Sequence, residues 1–291
     1  MEWLFRLKKV MEHIEENIKD DLDIREIASM ANSSEFHFQR VFCILTGYTL
    51  KDYIRRRRLS LAARDLVSSD KGILEIALDY GYESQASFTK AFGRLHGLAP
   101  GAVRQGRQVL KAFPPISFHL SINGGVTMDY EIVELPAFQV VGRMITTGSD
   151  DGENFKVIPR FWQEVMGDGS FEEIMKLADS KGHTKGAPMG ICIDFTDDSN
   201  RFNYLVACES RGDKLPKGMV KKTIPAHQWA VFKTRGPLPD SIQLLWKRIF
   251  SEWFPATQYN HAKGPELEIY PPSEDDDPEN CPSEVWIPIE K

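Results

Sequence analysis

Apolar residues recur at helical spacing through the first hundred positions, and they do so twice. Leu22, Ile24, Ile27 and Ala28 mark one short helix, and Phe38, Val41, Phe42 and Leu45 line one side of a second. Ile73, Ile76 and Ala77, then Phe88, Ala91, Phe92 and Leu95, repeat the pattern. Ile27-Ala28 meets Ile76-Ala77 at an offset of 49. After one inserted residue, Ser34, Phe38, Arg40, Phe42 and Gly47 meet Ser84, Phe88, Lys90, Phe92 and Gly97 at an offset of 50. The insertion falls at Ala31-Asn32-Ser33 against Tyr80-Gly81-Tyr82, where each copy needs a tight turn, and Gly47 and Gly97 stop the second helices. Between the copies Thr49 reads as an N-cap with Asp52 at the reciprocal position. Leu50, Tyr53, Ile54, Leu61, Ala62 and Leu66 then trace one helix of about 18 residues, roughly 27 Å long.

After Ala112-Phe113-Pro114-Pro115 the period changes. Ile116, Phe118, Leu120 and Ile122 alternate as in a short strand, Asn123-Gly124-Gly125 breaks the pattern, and from Met128 the alternation is of β type. This predicts an all-α domain over 1–111, a linker over 112–125 and a mixed domain over 126–291. The mixed domain repeats as well. Leu135-Pro136-Ala137 with its flanking strands matches Ile224-Pro225-Ala226, and an amphipathic helix follows each, one ending Phe161-Trp162 and the other Leu245-Trp246. Two strands come next in each copy: Met189 to Phe195 and Phe202 to Cys208, then Glu266 to Tyr270 and Glu284 to Ile289. The pattern predicts an α+β domain, an antiparallel sheet with helices, built of two modules about a pseudo-two-fold. A cleft between such modules is a common seat for ligands.

A paired short helix, turn and second helix is the helix-turn-helix layout, in which the second helix enters the major groove and its first turns touch base edges. With the phenylalanines packed inward, Ser34, Glu35, Phe36, Gln39, Arg40 and Cys43 fall at the start or on the outer face of the first such helix, and Gln85, Ala86, Thr89, Lys90 and Arg94 on the second. Glutamine suits adenine, and arginine or lysine suits guanine. The connecting helix is long enough to hold two such heads near the ~34 Å repeat of successive major grooves of double-stranded DNA. Arg55-Arg56-Arg57-Arg58 lies within it. Four consecutive residues cannot share one helix face, so some of these arginines, Arg55 among them, reach backbone phosphates and others pair with acids inside the domain. The competing reading is two αα-hairpins in a helical bundle with polar outer faces, which the register of the repeat disfavours.

Net charge, −6 over 291 residues, argues against a nucleic-acid binder until it is divided. Residues 1–111 carry 18 Lys+Arg against 15 Asp+Glu, or +3, and residues 112–291 carry 18 against 27, or −9. The two parts therefore have different partners. Four cysteines, Cys43, Cys192, Cys208 and Cys281, are too scattered for a disulfide frame or zinc site. No apolar run approaches the roughly 18 residues of a membrane span, and the N-terminus lacks a secretory pattern, so the expectation is a cytoplasmic protein without a membrane partner. No phosphate loop, metalloprotease motif or nucleophile elbow appears, which predicts no cofactor, no metal and no catalytic centre. His37 and His96 read as surface or helix-packing residues, and Ser273 to Asp277 as a solvated acidic loop without the spacing of a calcium loop.

The segment Ser34 to Phe42, then Gly47 to Arg55, Arg58-Leu59, Ile76-Ala77, Gly81-Tyr82, Ser84 to Phe92 and Pro100 together resemble the AraC/XylS-type DNA-binding domain over residues 4 to 108. The resemblance implies a bacterial transcription regulator, often an activator touching RNA polymerase. With this domain at the N-terminus, the chain is similar to a stress-response branch whose members can bind as monomers.

In the second domain Trp162, Tyr204, Trp229, Trp246, Tyr270 and Trp286 all fall on the repeated elements, and Glu268 sits inside the last module's strand. A carboxylate facing an aromatic pocket is costly to ionise without a cation, and ring faces attract cations. A lipophilic organic cation meets both demands. Equally, the tryptophans are core residues and Glu268 faces solvent. The stretch from Met128 to Ile289, with Tyr130 to Val133, Leu267 to Tyr270 and Glu284 to Ile289, resembles a GyrI-like effector-binding domain. What that resemblance implies is a central glutamate, Glu268, in a cleft for amphipathic and often cationic small molecules, lined here by Trp162, Tyr204, Trp229, Tyr270 and Trp286. It also admits an enzyme, because some such domains resemble hydrolases of small electrophilic compounds that use a glutamate and a tyrosine. A third possibility is a nucleoid or scaffold protein without a ligand.

Overall fold

The computed structural model describes residues 2–104, 110–117, 127–148, 152–196, 201–212, 215–273 and 277–291. The chain divides into two compact units, Met1–Ser121 and Ile122–Lys291.

The first unit is helical. Helix α1 spans Glu2–Glu16, α2 Ile24–Met30, α3 Glu35–Thr46, α4 Leu50–Ser68, α5 Ile73–Asp79, α6 Gln85–His96 and α7 Pro100–Arg104. The caps explain the boundaries. Ser34 Oγ accepts from His37 N at 3.3 Å, Thr49 Oγ1 from Asp52 N at 3.1 Å and Ser84 Oγ from Ser87 N at 3.2 Å. Gly47 and Gly97 end α3 and α6 with φ of 75° and 81°, where a Cβ would be strained. Asn32 (φ 53°) and Gly81 (φ 76°) make the left-handed step of the two tight turns. One expected detail differs: Asp52 pairs with Arg55 and Arg56 rather than closing a reciprocal cap, because two guanidinium groups one turn away outcompete a single backbone N–H.

Each helix-turn-helix has its own core. Phe38, Phe42, Ile27, Leu50 and Tyr53 bury with α1 residues Leu7, Val10, Met11 and Ile14. Phe88, Phe92, Ile76, Ala77 and Tyr80 bury with Leu59, Ala62 and Leu66 from the far end of α4. Residues 112–117, read as linker, are bonded into this unit. Phe113 N donates to Ser60 Oγ at 2.7 Å, and Ile116 N donates to the Tyr53 hydroxyl at 3.3 Å. Of the strand expected over Ile116 to Ile122, positions 118–122 lie outside the described residues.

Among the described residues the second unit is a nine-stranded antiparallel sheet with helices. Its strands are β1 (Tyr130–Leu135), β2 (Phe138–Gly148), β3 (Met189–Thr196), β4 (Arg201–Glu209), β5 (Val220–Ile224), β6 (His227–Arg235), β7 (Asn260–His261), β8 (Glu266–Ile269) and β9 (Pro282–Glu290). Its helices are α8 (Glu153–Gly167), α9 (Ser170–Met175), α10 (Asp240–Arg248), continued by a π-helical turn over Ile249–Trp253, and α11 (Phe254–Ala256). The strand order β1-β6-β9-β8-β3-β4-β2-β5 reads the same from either end once β1, β6, β9 and β8 are matched with β5, β2, β4 and β3. The expected pseudo-two-fold is therefore present, with its axis between β3 and β8. The modules also exchange a strand. β1 does not pair with β2, its neighbour in sequence, but with β6, and β5 pairs with β2. Leu135-Pro136-Ala137 and Ile224-Pro225-Ala226 are the corners from which those strands part. One sheet face carries the main core, including Met189, Ile191, Leu205, Trp229, Val231, Leu267, Ile269 and Trp286. Helix α8 packs on β2 and β4, and α10 on β6 and β9.

Candidate nucleic-acid interface and effector site

The two reading helices differ in access. On α6, Gln85, Ala86, Lys90 and Arg94 are exposed and Thr89 half-buried, so a row of donors and acceptors one turn apart faces outward. On α3, Phe36 stands outside the cluster of Phe38 and Phe42. Glu35 pairs with Arg25 at 2.9 Å, Ser34 is spent on capping α3, and Arg40 is half-buried. Arg55 is 55% exposed at its side chain and pairs with Asp52. The arginines that follow it turn inward. Arg57 is buried, with Nη2 2.6 Å from Glu15 Oε2, and Arg58 Nε donates to Ile18 O at 2.7 Å. Burial alone would raise the Glu15 carboxyl, but hydrogen bonds from Arg57 and Tyr53 hold it below the ordinary carboxylate value.

In the second unit, side chains from both modules meet on one sheet face. Glu268 sits in β8 between Leu267 and Ile269, which point into the main core, so pleating turns it to the opposite face. Gly190 lies directly across in β3, and Tyr204 of β4 shares that face. Both carboxylate oxygens of Glu268 are engaged by neutral donors: Trp246 Nε1 gives to Oε1 at 2.7 Å and the Tyr270 hydroxyl to Oε2 at 2.9 Å. Across the axis Trp162 Nε1 donates to the Tyr204 hydroxyl at 2.8 Å, and the Trp162 ring stands edge-on to Tyr270 at 5.5 Å. Gly190 makes the closeness possible, since a Cβ there would lie 2.2 Å from the Tyr204 hydroxyl oxygen. Burial, reinforced by the Glu268 charge, pushes the Tyr270 phenol well above its usual range, so it stays a donor.

Of the expected lining, Trp162, Tyr204, Glu268 and Tyr270 come together, and Trp229 and Trp286 do not. Trp286 is paired with Leu267, and Trp229 lies two residues from Val231, which pairs with Trp286. Both rings therefore point to the core face, 6.1 Å apart, with Glu268 on the other side of the sheet. The residue left out of the expected lining is Trp246. Its signal was in the repeat, because it occupies in the second module the place Trp162 holds in the first. A surface groove lined by Met128, Lys233, Arg235, Leu244 and Arg248 among others shares no residue with this cluster.

Residues 131–289, more than half of the chain, match the family model described as Cass2, integron-associated effector binding protein. The chain belongs to that family. In this member of the Cass2 family residues 27–106 also match a helix-turn-helix domain model, of AraC type. The family member is 26% identical over 290 residues to the right origin-binding protein of Escherichia coli K12, with 96% of each chain covered. It is 41% identical over 101 residues to the transposon Tn10 TetD protein of Escherichia coli, covering 35% of this chain and 73% of that one. A solved structure of SAV2435 bound to tetraphenylphosphonium aligns with 56% of this chain and 94% of its own at 20% identity and a TM-score of 0.49, a likeness too slight to carry inference. The chain is thus a DNA-binding transcriptional regulator of AraC type with an effector-binding C-terminal domain. No helix among the described residues is long and apolar enough to cross a membrane.

Proposed function

We propose that the effector is an amphipathic organic cation seated at Glu268 among Trp162, Tyr204, Trp246 and Tyr270, and that its binding modulates recognition of two adjacent major grooves by α3 and α6. The observation that carries this reading is the double engagement of Glu268. A half-buried carboxylate that meets, among the described residues, an indole N–H and a phenol O–H but no cation gains more from a cation than either donor supplies. Four aromatic rings around it favour a cation with apolar substituents. In the DNA-binding unit, Arg40, Gln39, Gln85 and Lys90 read bases and Arg55 holds a phosphate. An activator of this build also meets RNA polymerase.

The test is a titration of the full chain with tetraphenylphosphonium and, separately, with uncharged triphenylphosphine oxide, followed by tryptophan fluorescence. Five of the six tryptophans lie in the second unit, so the signal reports that unit. Saturable quenching by the cation, weakened about 10- to 100-fold by Glu268→Gln, is expected from losing a charge-assisted contact of roughly 1.5–3 kcal/mol. Equal affinity for the neutral compound refutes the charge preference. Turnover of a bound electrophile, abolished by the same substitution, would favour hydrolysis instead.

A further inference from the structure

The run Arg55 to Arg58 is the densest positive charge in the chain, and a phosphate clamp is its obvious use. Three of its four members are committed elsewhere. Arg57, 7% exposed, donates from Nε and Nη2 to Glu15 of α1 at 2.6–3.1 Å and from Nη1 to the Phe113 carbonyl at 2.5 Å. Arg58 donates to the Ile18 and Asp20 carbonyls, which follow α1, at 2.7 and 2.6 Å. Its guanidinium also fills the space beside Gly81, where a Cβ would meet Nη1 at 2.6 Å. It therefore touches the first helix-turn-helix and the turn of the second at once. Arg56 lies over the rings of Tyr48 and Phe113, at 5.2 and 5.7 Å.

The contacts of Arg56 and Arg57 meet at Phe113, in the segment 110–116. Leu110 packs on the core of the second helix-turn-helix, and Phe113 and Ile116 pack on the core of the first. The segment crosses from one to the other beside α4, pinned at the Phe113 carbonyl by Arg57 and at its N–H by Ser60. A second tie runs parallel: Lys19 pairs with Asp65 at 3.3 Å and lies over the Tyr80 ring, whose hydroxyl donates to Asp65 at 2.7 Å. We infer that Arg56, Arg57 and Arg58, with the strap that Arg56 and Arg57 hold at Phe113, are positioning residues that set the angle and spacing of the two reading heads, and that they do not bind phosphate. The physical need is clear: α4 alone joins two separate cores, and an error equal to one base-pair step, about 34° and 3.4 Å, puts the second head on the wrong bases. The inference rests on the reading that α3 and α6 enter successive grooves.

The experiment uses the full chain. A preferred duplex is selected by the wild-type protein from a random library, one base pair is inserted between its two half-sites, and affinities for both duplexes are measured over a range of salt. The wild type is expected to lose about tenfold or more on the insertion, in the range of a mismatched contact. Phe113→Ala and the charge-removing Arg58→Gln are expected to bind the selected duplex less well but to lose no more than about threefold on insertion, with an unchanged salt slope. Arg55→Ala should instead weaken both duplexes alike and lower the slope by about 0.9. The Phe113→Ala result stands alone if Arg58→Gln does not fold. A wild-type insertion penalty retained in the variants, or a salt slope lowered by about 0.9 in Arg58→Gln, overturns the brace alone. A wild type indifferent to the insertion overturns the two-groove reading and the brace with it.

Discussion

Trp246→Phe tests how much the indole stabilises Glu268 at its half-buried place on the sheet. Trp246 is 1% exposed, and its Nε1 is 2.7 Å from Glu268 Oε1. Phenylalanine keeps the six-membered ring near Phe250, which stacks on Trp246 at 5.9 Å, but removes the donor and part of the volume. A hydrogen bond to a charged group contributes about 1.5–3 kcal/mol. The lost ring atoms add roughly 1–2 kcal/mol, a fraction of the ~3–5 kcal/mol that removing a whole tryptophan costs. The single substitution should therefore cost about 2.5–5 kcal/mol. Glu268→Gln alone should cost about 1 kcal/mol, since the amide oxygen still accepts from the indole. If the two groups act as a pair, the double variant is less damaged than the sum by about 1–2 kcal/mol, within the range for residues in contact. Urea unfolding at neutral pH, followed by tryptophan fluorescence, measures all four proteins in the second unit. Additivity within about 0.5 kcal/mol refutes the reasoning.

Gly190→Ala should destabilise the second unit by about 1–3 kcal/mol, as overpacking does, because the new Cβ meets the 2%-exposed Tyr204 at its hydroxyl oxygen. Adding Tyr204→Phe, which deletes that oxygen, should recover part of the loss in the same urea assay, and no recovery would place the clash elsewhere. In the first unit burial holds His96 below the ordinary imidazole value, with its ring against Phe92 and Nε2 3.3 Å from the Leu59 carbonyl. The unfolded chain then takes up the proton at the higher pH, so this contribution is complete above about pH 6.5 and is lost as pH falls through that value toward the folded pKa. The urea midpoint followed by helical circular dichroism should drop between pH 7.5 and 5.5 by less in His96→Gln than in the wild type, and an unchanged drop would count against the argument.

The helical unit was legible because its information is local. Period, the N-cap at Thr49 and the stops at Gly47 and Gly97 fix the helices within a few residues, and the repeat reveals the turns at Asn32 and Gly81. The same locality explains what stayed open. The run Arg55 to Arg58 had to divide between phosphates and acids inside the domain, but nothing in its own helix says that Glu15, Phe113 and Ile18 will receive Arg57 and Arg58. In the sheet unit the repeat exposed two modules, and with them the equivalence of Trp162 and Trp246. It could not show that β1 and β5 change places, because strand partners are chosen by long-range pairing that leaves no mark in either strand alone. Nor could alternation within β9 assign Trp286 to a face, since only its register against Leu267 puts it behind the sheet from Glu268. Sequence determined the elements, the two repeats and the residue types available for recognition. Tertiary structure decided which of those side chains share a space, because contact across a sheet depends on register and pleat, properties of pairs of strands and not of either one.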